Sequence, residues 1–377
     1  MLIFASILAI FVYGMTAAML GTILPELSDR FGLTPTQNGT IAFAQALGLM
    51  IASVGVGPLL DSQGDKAGLL LGLVLIAIAL FSLPRSGGYR SLVVLMFLLG
   101  LGGGVVVTGA NALVSGVSEA HRATALNLVN LFFGLGGFAT PFIAANLFKR
   151  NASRLCYAIA ILTVATLVFH AMTPMPAPTG GAGFVLADVG PILGKPLLLM
   201  LGLLLFLYVS CEVGVWNWLP RHLIAQGIPE SRALNILSFG FALGLLFGRV
   251  GVAPILIHVP PIQVTLAASI AMAITTLLML RTNKPTAAWV LVFLAGVSMA
   301  PVFPTTLAIV GTAFPRLSGT AIGFAITCGW TGLAISSRII GGIAGDNPLR
   351  LKRALLLIPA SAVLMIALNL AIWSALR

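Results

Sequence analysis

Apolar residues run in long blocks along the chain, interrupted at intervals by short clusters of Gly, Pro and charge. A helix that crosses a bilayer needs about 20 mainly apolar residues. Twelve blocks approach or reach that length: 2–22, 37–59, 67–84, 91–114, 122–147, 153–173, 197–219, 231–256, 263–280, 287–313, 318–343 and 352–375. Each is predicted to be a membrane-spanning helix. The first block begins at residue 2 with no basic region before it, so it reads as a retained helix and not as a signal peptide. Between the sixth and seventh blocks the apolar pattern lapses, and Pro174-Met-Pro-Ala-Pro-Thr-Gly-Gly opens a linker. The predicted fold class is all-α and integral to the membrane. It has twelve transmembrane helices in two six-helix halves: a bundle over 1–174, a linker over 175–196 and a second bundle over 197–377.

The halves repeat one another. Residues 46–60 read ALGLMIASVGVGPLL and residues 242–256 read ALGLLFGRVGVAPIL, identical at nine of fifteen positions with an offset of 196. The same offset carries Phe97-Leu98-x-Gly100 onto Phe293-Leu294-x-Gly296, and Thr124-Ala125 onto Thr320-Ala321. A direct repeat of six helices is the parallel type found in transporters, whose halves are related by an axis along the membrane normal.

Composition narrows the class. Of 377 residues 59% are hydrophobic and 8% are charged, against about 25% charged in soluble domains. So few charges cannot cover a water-facing surface, which disfavours soluble enzymes and disordered chains. The balance is basic, with 20 Lys and Arg against 9 Asp and Glu, a net charge of +11. No basic run exceeds Lys149-Arg150 or Lys352-Arg353, so the excess fits lipid headgroups better than nucleic acid. Cys156, Cys211 and Cys328 are scattered through apolar blocks, and the four histidines form no metal-binding spacing. Gly190-Pro-Ile-Leu-Gly194-Lys195-Pro196 is one residue short of a phosphate loop and lacks its Ser/Thr. No cofactor, metal or enzymatic activity is expected, and the chain is expected to act as a monomer in the bilayer.

The link after the second block reads Gly57-Pro-Leu59-Leu-Asp61-Ser-Gln-Gly64-Asp-Lys66. It resembles the cytoplasmic G-x-L-x-D-x-x-G-x-[RK] loop of the major facilitator superfamily, with Ser62 and Asp65 where basic residues are usual. By that resemblance Gly57, Asp61, Gly64 and Lys66 form a conformational loop. Pro25-Glu-Leu-x-x-x-Phe31-Gly32-Leu33 is similar to the family's first outer loop. Asn111-x-Leu113-Val114, Ala125-Leu126-Asn127, Phe133-Gly134-x-Gly136, Glu212-x-Gly214-x-x-x-Trp218 and Pro301-x-Phe303-Pro304-Thr305 resemble the fucose permease and glucose/galactose group. The acid that this group carries in its first helix is missing: Thr16 stands at the repeat position of Glu212, and residues 91–114 contain no carboxylate. The resemblance implies a cell-membrane protein with both termini in the cytoplasm. The loop charges point the other way, with thirteen cations on the outer side in that orientation and six on the inner side.

A charge near mid-bilayer costs about 2.5–3.5 kcal/mol on insertion scales and marks a functional candidate. Glu212 is the one acid well inside a span. Tyr208, Glu212 and Trp216 are four residues apart and share a helix face, with Asn217 and Trp218 beside them. Glu212 reads as a protonatable carboxylate at a central cavity whose neutral form can cross; the alternative is a fixed acceptor for a neighbouring helix. Arg338 shares a face with Thr327, with Trp330 close by. It fits an anionic solute, or a snorkelling arginine paired with Asp346. Arg249 reads as the partner of a helix end. Gln45, Thr108, Asn111, Asn127 and Asn130 suit a polyol, because amides both donate and accept; their alternative is bonding between helices. Trp330 is a candidate to stack on a sugar. The expected function is secondary transport of a small polar solute, a monosaccharide first, with protons as coupling ion. The alternative is an organic anion carrier or a drug or metabolite exporter.

Overall fold

In the computed structural model, residues 1–148, 151–178, 185–345 and 348–377 are described. The twelve predicted spans appear there as twelve membrane-length helices. They are α1 (Leu2–Phe31), α2 (Pro35–Gln63), α3 (Asp65–Arg85), α4 (Tyr89–Val117), α5 (Arg122–Asn146) and α6 (Ala152–Met172). The second set is α7 (Pro196–Ala225), α8 (Glu230–Ile255), α9 (Pro261–Arg281), α10 (Pro285–Ala313), α11 (Pro315–Ala344) and α12 (Pro348–Ala375). Most helices outrun their apolar blocks, because polar residues continue the helix once the apolar stretch has ended. Residues 179–184 of the expected linker lie outside the described residues; Val189–Leu193 forms one short helical turn before α7.

Local chemistry sets the ends. The Thr34 hydroxyl accepts the Gln37 N–H at 3.3 Å, and the Gln37 side chain accepts the Thr34 N–H at 2.9 Å. This reciprocal cap starts α2 with Pro35 at its first position. Gly32 ends α1 in the left-handed region at φ 59°. Proline opens α7, α9, α10, α11 and α12, where its missing N–H costs no helical bond.

The chain divides into two compact units. The first comprises Met1–Arg122, Val129–Leu193 and Gly311–Thr327; the second comprises Ala123–Leu128, Gly194–Val310 and Cys328–Arg377. Within the first, a Cβ on Gly48 would run into the Phe97 carbonyl, and one on Gly100 into the Gln45 carbonyl. Thus α2 and α4 touch backbone to backbone. Within the second, Gly244 faces the Phe293 carbonyl and Gly296 faces that of Phe241. All four pairs are related by the offset of 196 residues seen in the sequence. The α1–α5 crossing repeats in the same way: Gly14 and Gly136 are matched by Ser210 and Gly332 in α7 and α11. Small residues let helix axes approach where lipid supplies no hydrophobic drive for association.

The repeats also differ. Helix α4 is continuous, whereas α10 is interrupted at Ala300-Pro301. Helix α2 is α-helical throughout, whereas α8 carries a π-helical stretch over Ile236–Ala242. Both irregularities lie in the second repeat.

Candidate functional site

In the second unit, Glu212 projects from the middle of α7 with Tyr208 and Trp216 flanking its carboxyl, as their spacing predicts. Arg249 of α8 is buried, 8% exposed, and its charge acts on Glu212. Arg249 is thus within electrostatic reach of Glu212, and a cation buried this deep is tolerated where an opposite charge compensates it. The signal was present in the repeat. Thr16 and Ser53 occupy the first-half positions of Glu212 and Arg249, so an acid and a base on neighbouring helices stand where the other repeat has two neutral residues.

Aromatic rings continue the site. Tyr208 lies 6.5 Å from Phe303, and Phe303 lies 6.5 Å from Trp330. Phe303 follows the interruption in α10 directly. Trp216 packs edge-on against Phe241 at 5.3 Å, and Phe241 sits within the π-helical stretch. Broken and π-helical segments recur at ligand sites because they free backbone groups and re-aim side chains. Neither was read from the sequence as a feature of the site, since periodicity registers a span and not its internal hydrogen-bond pattern. Among the described residues the indole N–H of Trp330 has no partner.

The remaining candidates divide by what they bond. Asn130 donates to the Asn111 side-chain carbonyl at 2.7 Å, and Asn111 donates to the Val107 carbonyl at 2.7 Å, joining α4 to α5 in the first unit. In the second unit Asn127 donates to the Thr305 hydroxyl at 3.0 Å. Asn217 donates to the Ser337 hydroxyl at 2.8 Å, which ties α7 to α11. In the first unit Thr327 donates to the Gly323 carbonyl at 2.8 Å. Gln45 is half-buried on α2, and the Thr108 hydroxyl is buried without a partner among the described residues. Arg338 is exposed, and Asp346, its expected partner, lies outside the described residues, as do Lys149 and Arg150.

The conformational loop has a defined geometry within the first unit. The Asp61 carboxylate accepts the Gly319 N–H at 2.8 Å, the Thr320 N–H at 2.8 Å and the Thr320 hydroxyl at 2.6 Å. These are first-turn groups of the α-helical part of α11, so the anion meets the positive end of a helix. Gly57 leaves room for Thr320 to approach. Gly64 turns the chain at φ 87°, and Lys66 donates to the Ala171 and Thr173 carbonyls at 2.7 and 3.1 Å, at the negative end of α6. Arg122 joins the same group, donating to the Ser115 carbonyl and the Thr312 hydroxyl, each at 2.6 Å. In the second unit the equivalent place holds a bond from the Thr124 hydroxyl to the Ala253 carbonyl at 3.1 Å, and Ile257 stands at the position of the aspartate.

Twelve membrane-length helices built on a repeated six-helix pattern, with a half-buried acid and a buried arginine beside aromatic rings, are the architecture of a membrane transporter of small molecules. The chain belongs to the Major Facilitator Superfamily, whose sequence profile it matches over residues 6–337. Its fold is that of the E. coli fucose:proton symporter, at a TM-score of 0.85 and 18% identity with 98% of each chain covered. It is 24% identical to the glucose/mannose transporter GlcP of Bacillus subtilis over 88% of this chain and 85% of that one. A shorter stretch, 37% of this chain, is 30% identical to the 4-hydroxybenzoate transporter PcaK of Pseudomonas aeruginosa and spans 32% of that protein's length.

Proposed function

We propose that this chain carries a monosaccharide across the cell membrane by alternating access, coupled to protons through Glu212. The observation that carries the reading is Glu212, flanked by Tyr208 and Trp216 on α7 and within electrostatic reach of the buried Arg249 on α8. An ionised Glu212 compensates the charge of Arg249; protonating it leaves the arginine in need of another partner and gives the site one net positive charge, which couples proton binding to rearrangement around Arg249. Phe303 and Trp330 offer apolar faces for a sugar ring, and the Trp330 indole N–H offers a donor for a hydroxyl. A sugar fits this set because it is polar at its edges and apolar on its ring faces. The sugar transporters among its relatives support the same reading. We assign both termini to the cytoplasm, on the loop at Asp61, and a monomeric working state.

A second reading, an organic anion carrier or exporter, draws on the 4-hydroxybenzoate transporters among the relatives. One experiment separates the two. Purified protein in proteoliposomes is given labelled hexoses and aromatic acids with and without an inward-acid pH gradient. A cysteine at Gly87, which is exposed where Ser86 is buried, reports sidedness by impermeant labelling. The expected result is hexose uptake driven by the gradient. Glu212→Gln should lose the gradient response and keep sugar binding. A gradient response unchanged in Glu212→Gln removes that residue from coupling. Uptake of the acids alone, lost in Arg338→Gln, replaces the sugar reading with the anion one.

A further inference from the structure

A shallow, open hollow lies where α3 runs into α4, far along the sequence from the Glu212 site and wholly within the first unit. Arg85 and Arg90 stand at its walls, and none of the described residues lining it is acidic. Arg85 is held in place: it donates to the Phe81 carbonyl at 2.6 Å and lies 5.4 Å from the centre of the Tyr157 ring. Its remaining N–H groups stay available, since a guanidinium has five. Arg30 adds a third cation at this end, donating to the Pro84 carbonyl at 3.4 Å. The first turn of α4 contains no acid, so the positive end of that helix is not neutralised.

A separate observation points to a ligand. Ser86 lines the hollow and is only 6% exposed, yet its hydroxyl has no hydrogen-bond partner among the described residues. A buried hydroxyl without a partner is unfavourable unless something else fills that role. The other wall is apolar and uncovered: Phe81, Val94, which is 64% exposed, and Leu95. A free phosphate would satisfy the arginines and Ser86 and leave this wall bare. A lipid satisfies both, with an anionic head and hydrocarbon joined in one molecule.

We propose that the hollow between Arg85, Ser86 and Arg90 binds the phosphate of an acidic membrane phospholipid, with an acyl chain along Phe81, Val94 and Leu95. The arginines recognise the phosphate through charge-assisted bonds. The site shares no residue with the Glu212 site and does not depend on which solute is carried.

The test uses the full chain in nanodiscs of phosphatidylcholine with increasing phosphatidylglycerol. Retained lipid is read by native mass spectrometry and the melting temperature is followed in parallel. Phosphatidylglycerol is expected to be retained preferentially and to raise the melting temperature. Arg85→Gln and Arg90→Gln should each weaken retention about fivefold, as expected for one basic residue at a lipid surface. Ser86→Ala should weaken it less. The pair Arg281→Gln with Lys284→Gln, on the exposed α9–α10 link, should leave it unchanged. Equal loss in that control pair, or no loss in the Arg85 and Arg90 variants, overturns the proposal in favour of a diffuse field. A rise in melting temperature with inorganic phosphate equal to that with phosphatidylglycerol overturns the lipid assignment. If an arginine variant melts abnormally in pure phosphatidylcholine, Ser86→Ala and Arg90→Lys decide, because both keep the fold and charge while removing a donor. Unchanged retention in both then sinks the site.

Discussion

In the first repeat, Gly48 and Gly100 press on the backbones of α4 and α2, while positions 16 and 53 hold Thr and Ser. In the second repeat Gly244 and Gly296 make the same contacts, but positions 212 and 249 hold Glu and Arg. The departures cluster in the second repeat: the acid, the base, the π-helical stretch of α8 and the interruption of α10. The duplicated framework carries the helix packing, and the second copy differs from the first in carrying buried charge and irregular backbone. The links invert that distribution. The first repeat supplies Asp61 to the start of α11, and at the matching place the second offers the neutral Thr124 bond. One copy holds its acid in the membrane interior and the other holds its acid at a helix end.

The largest effect that probes this comparison is steric. Gly48→Val and Gly244→Val each place atoms against a backbone carbonyl that cannot yield. Overpacking costs about 1–3 kcal/mol where neighbours can shift and more where they cannot. Both variants should lose most folded protein, in equal measure, by size-exclusion profile and melting temperature in detergent. A tolerated Gly244→Val beside a lethal Gly48→Val would break the equivalence of the two frameworks. The next effect is electrostatic. Asp61→Asn gives up charge-assisted bonds at a buried helix end and should destabilise by about 1–3 kcal/mol. Thr124→Ala removes one neutral bond and should cost about 0.5–1.5 kcal/mol. Melting temperatures lowered equally in both would mean that the acid adds nothing to its link. The smallest effect falls on the amides. Asn111→Ala should cost about 0.6 kcal/mol, the average for bonds between membrane helices, with solute uptake kept. A loss of uptake far beyond the loss of stability would return Asn111 to the solute path.

All twelve spans were legible in the sequence because, in a bilayer, a span needs only length and apolarity, which composition displays directly. The repeat was legible because glycine contacts are position-specific and survive as identities. Glu212 and its Tyr208–Trp216 face were legible from helical spacing. The partner on α8 was not, since spacing along one helix says nothing about which neighbour faces it. Arg249 therefore looked like an end-of-helix cation. The polar amides illustrate the same limit. By chemistry Asn111 and Asn130 read equally as polyol ligands or as bonds between helices, and only the structure shows that they bond each other. The π-helical stretch in α8 is a shift in hydrogen-bond register that leaves the apolar pattern intact, and so it has no signature in hydropathy.

The reciprocal glycine contacts also bear on how such a molecule can be observed. With Gly48 set against α4 and Gly100 set against α2, neither helix can roll or slide without the other, and the same holds for α8 with α10. Each couple behaves as one girder. A spectroscopic label on the lipid-facing side of α2, at exposed Phe43 or Ile51, would therefore track α4 as faithfully as α2. Two labels, one for each couple, would suffice to follow four of the twelve helices through a transport cycle.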